Sequence, residues 1–122
     1  MRLAGECAVD EASPVLTVVL AALAGVRTQQ EVVLLGGGAT LRRALEAGSG
    51  RELVDEGPAD IVVAHSATDV PSAVAMLKPG GRVVAVAADA GDVERTVARH
   101  GLVLRHSERV GGRVVWSASL PA

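Results

Sequence analysis

Three short runs, Val32-Val-Leu-Leu35, Asp60-Ile-Val-Val-Ala64 and Arg82-Val-Val-Ala-Val-Ala87, are almost unbroken in apolar character. A strand with one wet face alternates apolar and polar residues. An uninterrupted run of this length belongs to a strand covered on both faces, as in a parallel sheet flanked by helices. Each run is followed by a polar or glycine break and then by helix signals. Thr40-Leu-Arg-Arg-Ala-Leu-Glu-Ala47 is a short helix closed by Gly48-Ser-Gly50. A second helix lies near Pro71, over Ser72-Ala-Val-Ala-Met-Leu77, and stops at Lys78-Pro-Gly-Gly81. In the third, Asp92 is the expected cap, with Glu94 in the first turn, Arg99 and His100 in the last and Gly101 beyond. These charges complement the helix dipole at both ends. Two strands then close the chain, Leu102 to Val110 and Arg113 to Leu120, around the two-residue turn Gly111-Gly112. Strand and helix alternating three times before a hairpin predicts a mostly parallel α/β sheet of about five strands with an antiparallel edge.

With 122 residues there is room for one domain: an N-terminal arm over 1–12, a leading helix over 13–25, and the sheet and helices over 31–120. The chain has no Phe or Tyr, so Val, Leu, Ala and Ile must build the core. The net charge is -2 and Trp116 is the only aromatic residue, which removes both the cations and the stacking platforms of a nucleic-acid surface. Lys78 is the only lysine among twelve basic residues, the bias of a high-GC bacterial genome. Cys7 stands alone, so no internal disulfide forms, and a reducing cytoplasm is the expected compartment.

Ser13-Pro14 starts the leading helix as cap and first residue, and Gly25 ends it. A strand over 15–20 is the alternative for the same apolar run. Val15 to Ala24 is roughly ten residues, too short to span a bilayer. Ala22-Leu-Ala24 is like a signal-peptidase site, but Glu6, Asp10 and Glu11 precede it, the wrong charge for a signal peptide. No membrane association is expected.

Several of these words resemble the class I S-adenosylmethionine-dependent methyltransferases. Asp60-Ile-Val-Val-Ala64 is similar to that family's fourth strand, and Met76-Leu-Lys-Pro-Gly-Gly-Arg-Val-Val84 to its turn into the fifth. Gly101-Leu-Val-Leu104, the Gly-Gly turn and Val114-Val115 resemble its closing hairpin. Zinc-type alcohol dehydrogenases use similar words at the Pro-Gly-Gly turn, and the terminal hairpin is what favours the methyltransferases. The resemblance implies a three-layer Rossmann-like fold with a cofactor loop at Gly36, Gly37, Gly38 and Ala39.

Two departures bear on that cofactor. The family's first motif sets an acid before its glycines; here Leu34 occupies that place, and Thr40 replaces the last glycine. The family's second strand ends in an acid for the ribose hydroxyls, about twenty residues past the glycines. Asp55 and Glu56 lie near that spacing. A parallel strand ending there would leave only Glu56 to Ala59 for the return, where a crossover takes about a dozen residues. Four or five extended residues span roughly 13–18 Å, little more than one strand's length. Residues 48–59 are therefore expected to connect bottom to bottom, with the family's second and third strands missing and the adenosine half of the pocket gone. The expectation is a chain with no bound cofactor; S-adenosylmethionine is the one the resemblance would supply.

Ligands of open α/β sheets sit at the carboxyl ends of the strands. That edge collects Gly36 to Gly38, His65, Ser66, Thr68, Asp69 and Asp89. His65 directly follows a buried strand and titrates near neutrality, which makes it the candidate general base; a histidine hydrogen-bonded at a strand end is the plainer alternative. Adjacent residues at a strand end point apart, so His65, Ser66 and Asp69 are not a triad. Asp69 and Asp92 are expected to cap helices and His100 to serve a helix end, while His106 is too far along the chain to suggest a metal site. Trp116 packs against a helix or anchors an interface, the former being favoured.

Without the missing strands, Glu31 to Leu35 becomes an apolar sheet edge of the kind proteins cover. The N-terminal segment with Leu3 to Val9, a second copy or another protein would cover it. The expected function is that of a degenerate methyltransferase-like domain acting as a non-catalytic accessory or scaffold protein. The alternative is a small-molecule enzyme, either a methyltransferase completed across a dimer or a non-methylating descendant using His65.

Overall fold

The computed structural model describes residues 19, 24–36, 38–50 and 52–121. Of the predicted leading helix, Val19 and Ala24 are helical and Gly25 follows with φ +54°; the rest of it, the 1–12 arm and Gly37 lie outside the described residues. The elements are β1 (Val32–Leu35), α1 (Gly38–Ser49), β2 (Ala59–Ala64), a 3-10 turn (Ala67–Asp69), α2 (Val70–Ala75), β3 (Leu77–Ala87), α3 (Ala90–Arg99), β4 (Val103–Val110) and β5 (Arg113–Ser119). They form one sheet in the order β1-β2-β3-β5-β4. β1, β2 and β3 are parallel, and β5 runs antiparallel to both β3 and β4. The expected mostly parallel sheet with an antiparallel hairpin is the one observed.

Apolar residues divide between the two faces as the uninterrupted runs require. Val33, Val62, Val83, Ala85, Val114 and Trp116 face Val70 and Ala73 of α2 and Val93 of α3. Val32, Ile61, Val63, Val84, Val86 and Val115 face Leu41 and Leu45 of α1, together with Ala24. Trp116 is 1% exposed, so it is a core residue beside a helix rather than an interface anchor. No helix among the described residues is long and apolar enough to cross a membrane.

Helix α1 is longer than its sequence signals predict. It starts at Gly38 and runs through Gly48 to Ser49, because Leu41, Leu45 and Ser49 recur every fourth residue on its buried face. Gly48 is accommodated where a Cβ would meet Val26 at 3.4 Å, and Gly50, with φ +73°, ends the helix. β3 likewise begins earlier than expected. Leu77 pairs with Ala59, but the regular register resumes only at Arg82 with Ile61, so Lys78-Pro-Gly-Gly81 is a bulge within the strand. A side chain at Gly81 would collide with the carbonyls of Lys78 and Asp60 at 2.9 and 3.0 Å. The third correction concerns α3: Asp89 is its cap, accepting from the Asp92 amide at 2.9 Å, and Asp92 belongs to the first turn.

The link from α1 to β2 decides the shape of the sheet. Among the described residues no strand lies between them, and the Asp60 amide donates to the Glu31 carbonyl at 2.9 Å, at the foot of β1. Lys78 ties the same corner, 2.7 Å from Glu31 and 3.5 Å from Asp60, whose other oxygen accepts from the Glu31 amide at 2.8 Å. The hydrogen bond to Glu31 is the main cause that raises the Lys78 pKa above its ordinary value, against a smaller opposing effect of burial. Asp55 therefore lies away from the carboxyl edge, as the spacing argument required.

The edge of β1 is not bare. Before reaching β2 the chain brushes past it, and the Val54 amide donates to the Val32 carbonyl at 3.0 Å. Leu53 is buried in the core on the α1 face, and Val54 packs against the core on the opposite face. Successive residues of an extended chain point to opposite sides. Residues 52–54 thus act as a three-residue clasp, closing both faces at the place where a second strand would otherwise lie. Below it Val32 and Val33 are each 1% exposed, while Leu34 and Leu35 beyond it are only half-buried. Truncating Leu53 to alanine should cost about 2 kcal/mol in a urea unfolding titration. Glu52→Ala, on the exposed neighbour, should stay within about 0.5 kcal/mol of the parent.

Candidate functional site at the carboxyl edge of the sheet

Because β1, β2 and β3 are parallel, Leu35, Ala64 and Ala87 all end at one edge. Val114 pairs with Ala87, which brings the Gly111-Gly112 turn to that edge as well. The hairpin tip, flanked by Arg109 and Arg113, is therefore part of the site's surroundings. The sequence reading missed it, although an antiparallel return after β3 places the tip there.

Gly36 and Gly38 have φ of +79° and +80°, the left-handed region open mainly to glycine. The turn is therefore shaped by backbone need, and Gly38 and Ala39 at the start of α1 are exposed. His65 donates its amide to the Leu35 carbonyl at 3.0 Å. A Cβ built on Gly36 would stand 3.5 Å from the Cβ of His65, so the half-buried His65 lies beside the glycine turn.

The neighbouring polar groups are mostly committed locally. Ser66 Oγ and Thr68 Oγ1 are 2.9 Å apart, and the Thr68 amide donates to Ser66 Oγ at 3.3 Å. The Asp69 amide donates to the Ser66 carbonyl at 3.0 Å, closing the 3-10 turn. Asp69 stands at the cap position of α2 but makes no side-chain cap bond, contrary to its expected role. Asp89 is the carboxylate occupied in capping. Among the described residues no hydrogen bond joins His65 to Ser66 or Asp69.

The remaining histidines stand apart. The His100 amide bonds the Thr96 carbonyl at the end of α3, and His106 Nε2 lies 3.3 Å from Glu108 Oε1 on the exposed strand β4. The described residues contain no cluster of three or more metal-ligating side chains. Leu34, at the place of the first-motif acid, packs against the α1-side core. The described part of the edge thus combines two glycines in the left-handed region, the half-buried His65 and, at Asp69, a carboxylate that makes no cap bond, with Leu34 where the first-motif acid would stand.

No family model and no curated protein matches the sequence. Solved structures do match the fold. A precorrin-6y C5,15-methyltransferase from Geobacter metallireducens is similar with a TM-score of 0.65 at 10% identity, over 88% of this chain and 88% of that one. A complex between the Haloferax volcanii Trm112 methyltransferase activator and a protein assigned as a methyltransferase contains a chain with a TM-score of 0.73 at 11% identity, covering 94% and 93%. An S-adenosylmethionine-dependent O-methyltransferase from Thermotoga maritima follows with 0.54 at 12% identity, over 89% and 66%. The chain has the class I methyltransferase-like fold.

The capping geometry separates the two aspartates of this edge. Asp89→Ala should lower stability by about 1 kcal/mol in thermal unfolding. Asp69→Ala, which breaks no cap bond, should change it by less than about 0.5 kcal/mol.

Proposed function

We propose that this domain is a degenerate methyltransferase-like module that works by binding, as an accessory or scaffold protein, and not by methyl transfer. The observation that carries this reading is the clasp: residues 52–54 lie along β1, and the chain enters β2 without building another strand. In the methyltransferases that this fold resembles, the omitted strands supply the wall and the acid that hold the adenosine. Leu34 removes the other acidic anchor. The glycine turn at Gly36 to Ala39 would then be kept for its backbone geometry, and the domain would hold no cofactor.

The binding surface in this proposal is the uncovered upper part of the β1 edge. In a parallel ladder alternate residues turn their backbone groups outward. The Glu31 and Leu35 carbonyls face β2, so Val32 and Leu34 face out; the Val54 amide satisfies the Val32 carbonyl, and among the described residues no backbone group bonds Leu34 from that side. An extended segment placing one apolar residue on each face would continue the clasp over Leu34 and Leu35. It could come from another protein or from a second copy. The similarity to a chain from a complex with a methyltransferase activator supports a protein partner.

A second reading rests on His65, whose place beside Gly36 at the carboxyl edge suits a general base. In it the domain is a small-molecule enzyme, either with an S-adenosylmethionine site completed across a dimer or as a non-methylating descendant, and Ser66 and Asp89 flank the ligand.

Isothermal titration calorimetry with S-adenosylmethionine and S-adenosylhomocysteine separates the binding reading from the methyl-transferring form of the second; absence of binding would leave the second reading only its non-methylating form. Binding no tighter than about 1 mM is expected for both compounds. A dissociation constant in the micromolar range would overturn the non-catalytic reading.

A further inference from the structure

The chain that passes the β1 edge is acidic. From residue 52 to residue 60 it carries Glu52, Asp55, Glu56 and Asp60 and no cation. Asp60 is engaged, with one oxygen on the Glu31 amide and the other toward Lys78, and Lys78 also pairs with Glu31. Glu52, Asp55 and Glu56 are different. They are exposed, and among the described residues no hydrogen bond or ion pair engages their carboxylates. The cations of α1 and of the approach to β1 leave this charge standing. Arg42 pairs with Glu46, and neither Arg27 nor Arg43 forms an ion pair with the three acids. Arg43 lies about 200° around α1 from the buried Leu41, on the side away from the sheet.

These acids stand where the clasp ends and the open edge begins. Each is within two positions of Val54, whose amide is bonded to the Val32 carbonyl. Leu34 is two residues further along β1, or about 7 Å. That is inside the screening length of about 8 Å at physiological salt. A segment docked on Leu34 therefore meets the field of the acids largely unscreened. Leu34 packs toward one face of the sheet and Leu35 toward the other, so two consecutive apolar residues suit the same segment.

A second copy of the chain does not meet these terms. Two β1 edges paired antiparallel about Leu34 would set Gly36 of one protomer against Val32 of its partner, the place that Val54 already takes. The strand Val32–Leu35 also brings no cation.

We propose that the β1 edge takes an extended segment of another protein in which two consecutive apolar residues are flanked by arginine or lysine. This rests on the binding reading above. The outward backbone of Leu34 and the side chains of Leu34 and Leu35 hold the segment, while Glu52, Asp55 and Glu56 select its charge.

The test uses the full chain and two probe peptides, each with a core of two valines between threonines. One carries two arginines at each end and the other two glutamates. A nuclear magnetic resonance titration at low salt should show the arginine peptide binding at least about tenfold more tightly, and raising salt to about 0.5 M should shrink that preference. The Leu34 amide, exchanging freely in the chain alone, should be protected by the arginine peptide. Glu52→Gln, Asp55→Asn and Glu56→Gln combined should bring the two peptides to equal affinity, with native circular dichroism. Equal affinities in the parent, with Leu34 protected, would overturn the charge selection and leave the edge a binding site. Binding of neither peptide would overturn the proposal together with the edge itself. A Leu34 amide already protected in the chain alone would do the same.

Discussion

The structure depends on one constraint: a chain that climbs a parallel strand must come back down before it can climb the next. α1 makes that descent after β1, and the Asp60 amide is already bonded to the Glu31 carbonyl at the foot of the sheet. β1 and β2 are consequently direct neighbours, in register from Val32 with Ile61 to Leu35 with Ala64. Everything distinctive about the domain follows from this pairing. It places β1 at the margin, leaves residues 50–58 only a short path, and lets Leu53 and Val54 do with two side chains what a further strand would do with a full row.

The two margins of the sheet are treated differently. β4 is exposed along most of its length, yet its ladder is broken by a bulge between Leu104 and His106, and Arg105, Glu108 and Arg109 stud it with charge. These devices discourage pairing with another strand. β1 carries no charge within Val32–Leu35 and is protected by shortness and by the clasp, which stops at Val32. The half-buried side chains of Leu34 and Leu35 lie beyond it. Under the binding reading, this asymmetry selects β1 over β4 as the side that receives a partner.

Much of the architecture was legible in the residues. Unbroken apolar runs specify strands buried on both faces, and Gly111-Gly112 specifies a hairpin. The small number of residues between 48 and 59 was enough to exclude another parallel strand. What escaped were features set by tertiary contact. Gly48 reads locally as a helix stop, yet α1 continues through it to Ser49, which is buried in line with Leu41 and Leu45. Lys78-Pro-Gly-Gly81 reads as a turn, yet the Gly80 amide pairs with the Leu120 carbonyl, and the Leu120 amide with that of Gly81, drawing the segment into β3. Asp92 reads as the cap of α3, and only the backbone shows that Asp89 takes that place. At the carboxyl edge the candidate residues were found by strand order alone. The closeness of His65 to Gly36 and the arrival of the hairpin tip needed the sheet itself.

The central claim is that residues 52–54 substitute for a strand with a single backbone bond to β1. Amide hydrogen exchange resolved by residue over 52–56 tests it most directly. The account predicts one protected amide, that of Val54, between freely exchanging amides at Glu52 and Asp55. Protection at alternate positions, Glu52, Val54 and Glu56, would mean that a further strand does form there, and would contradict the account.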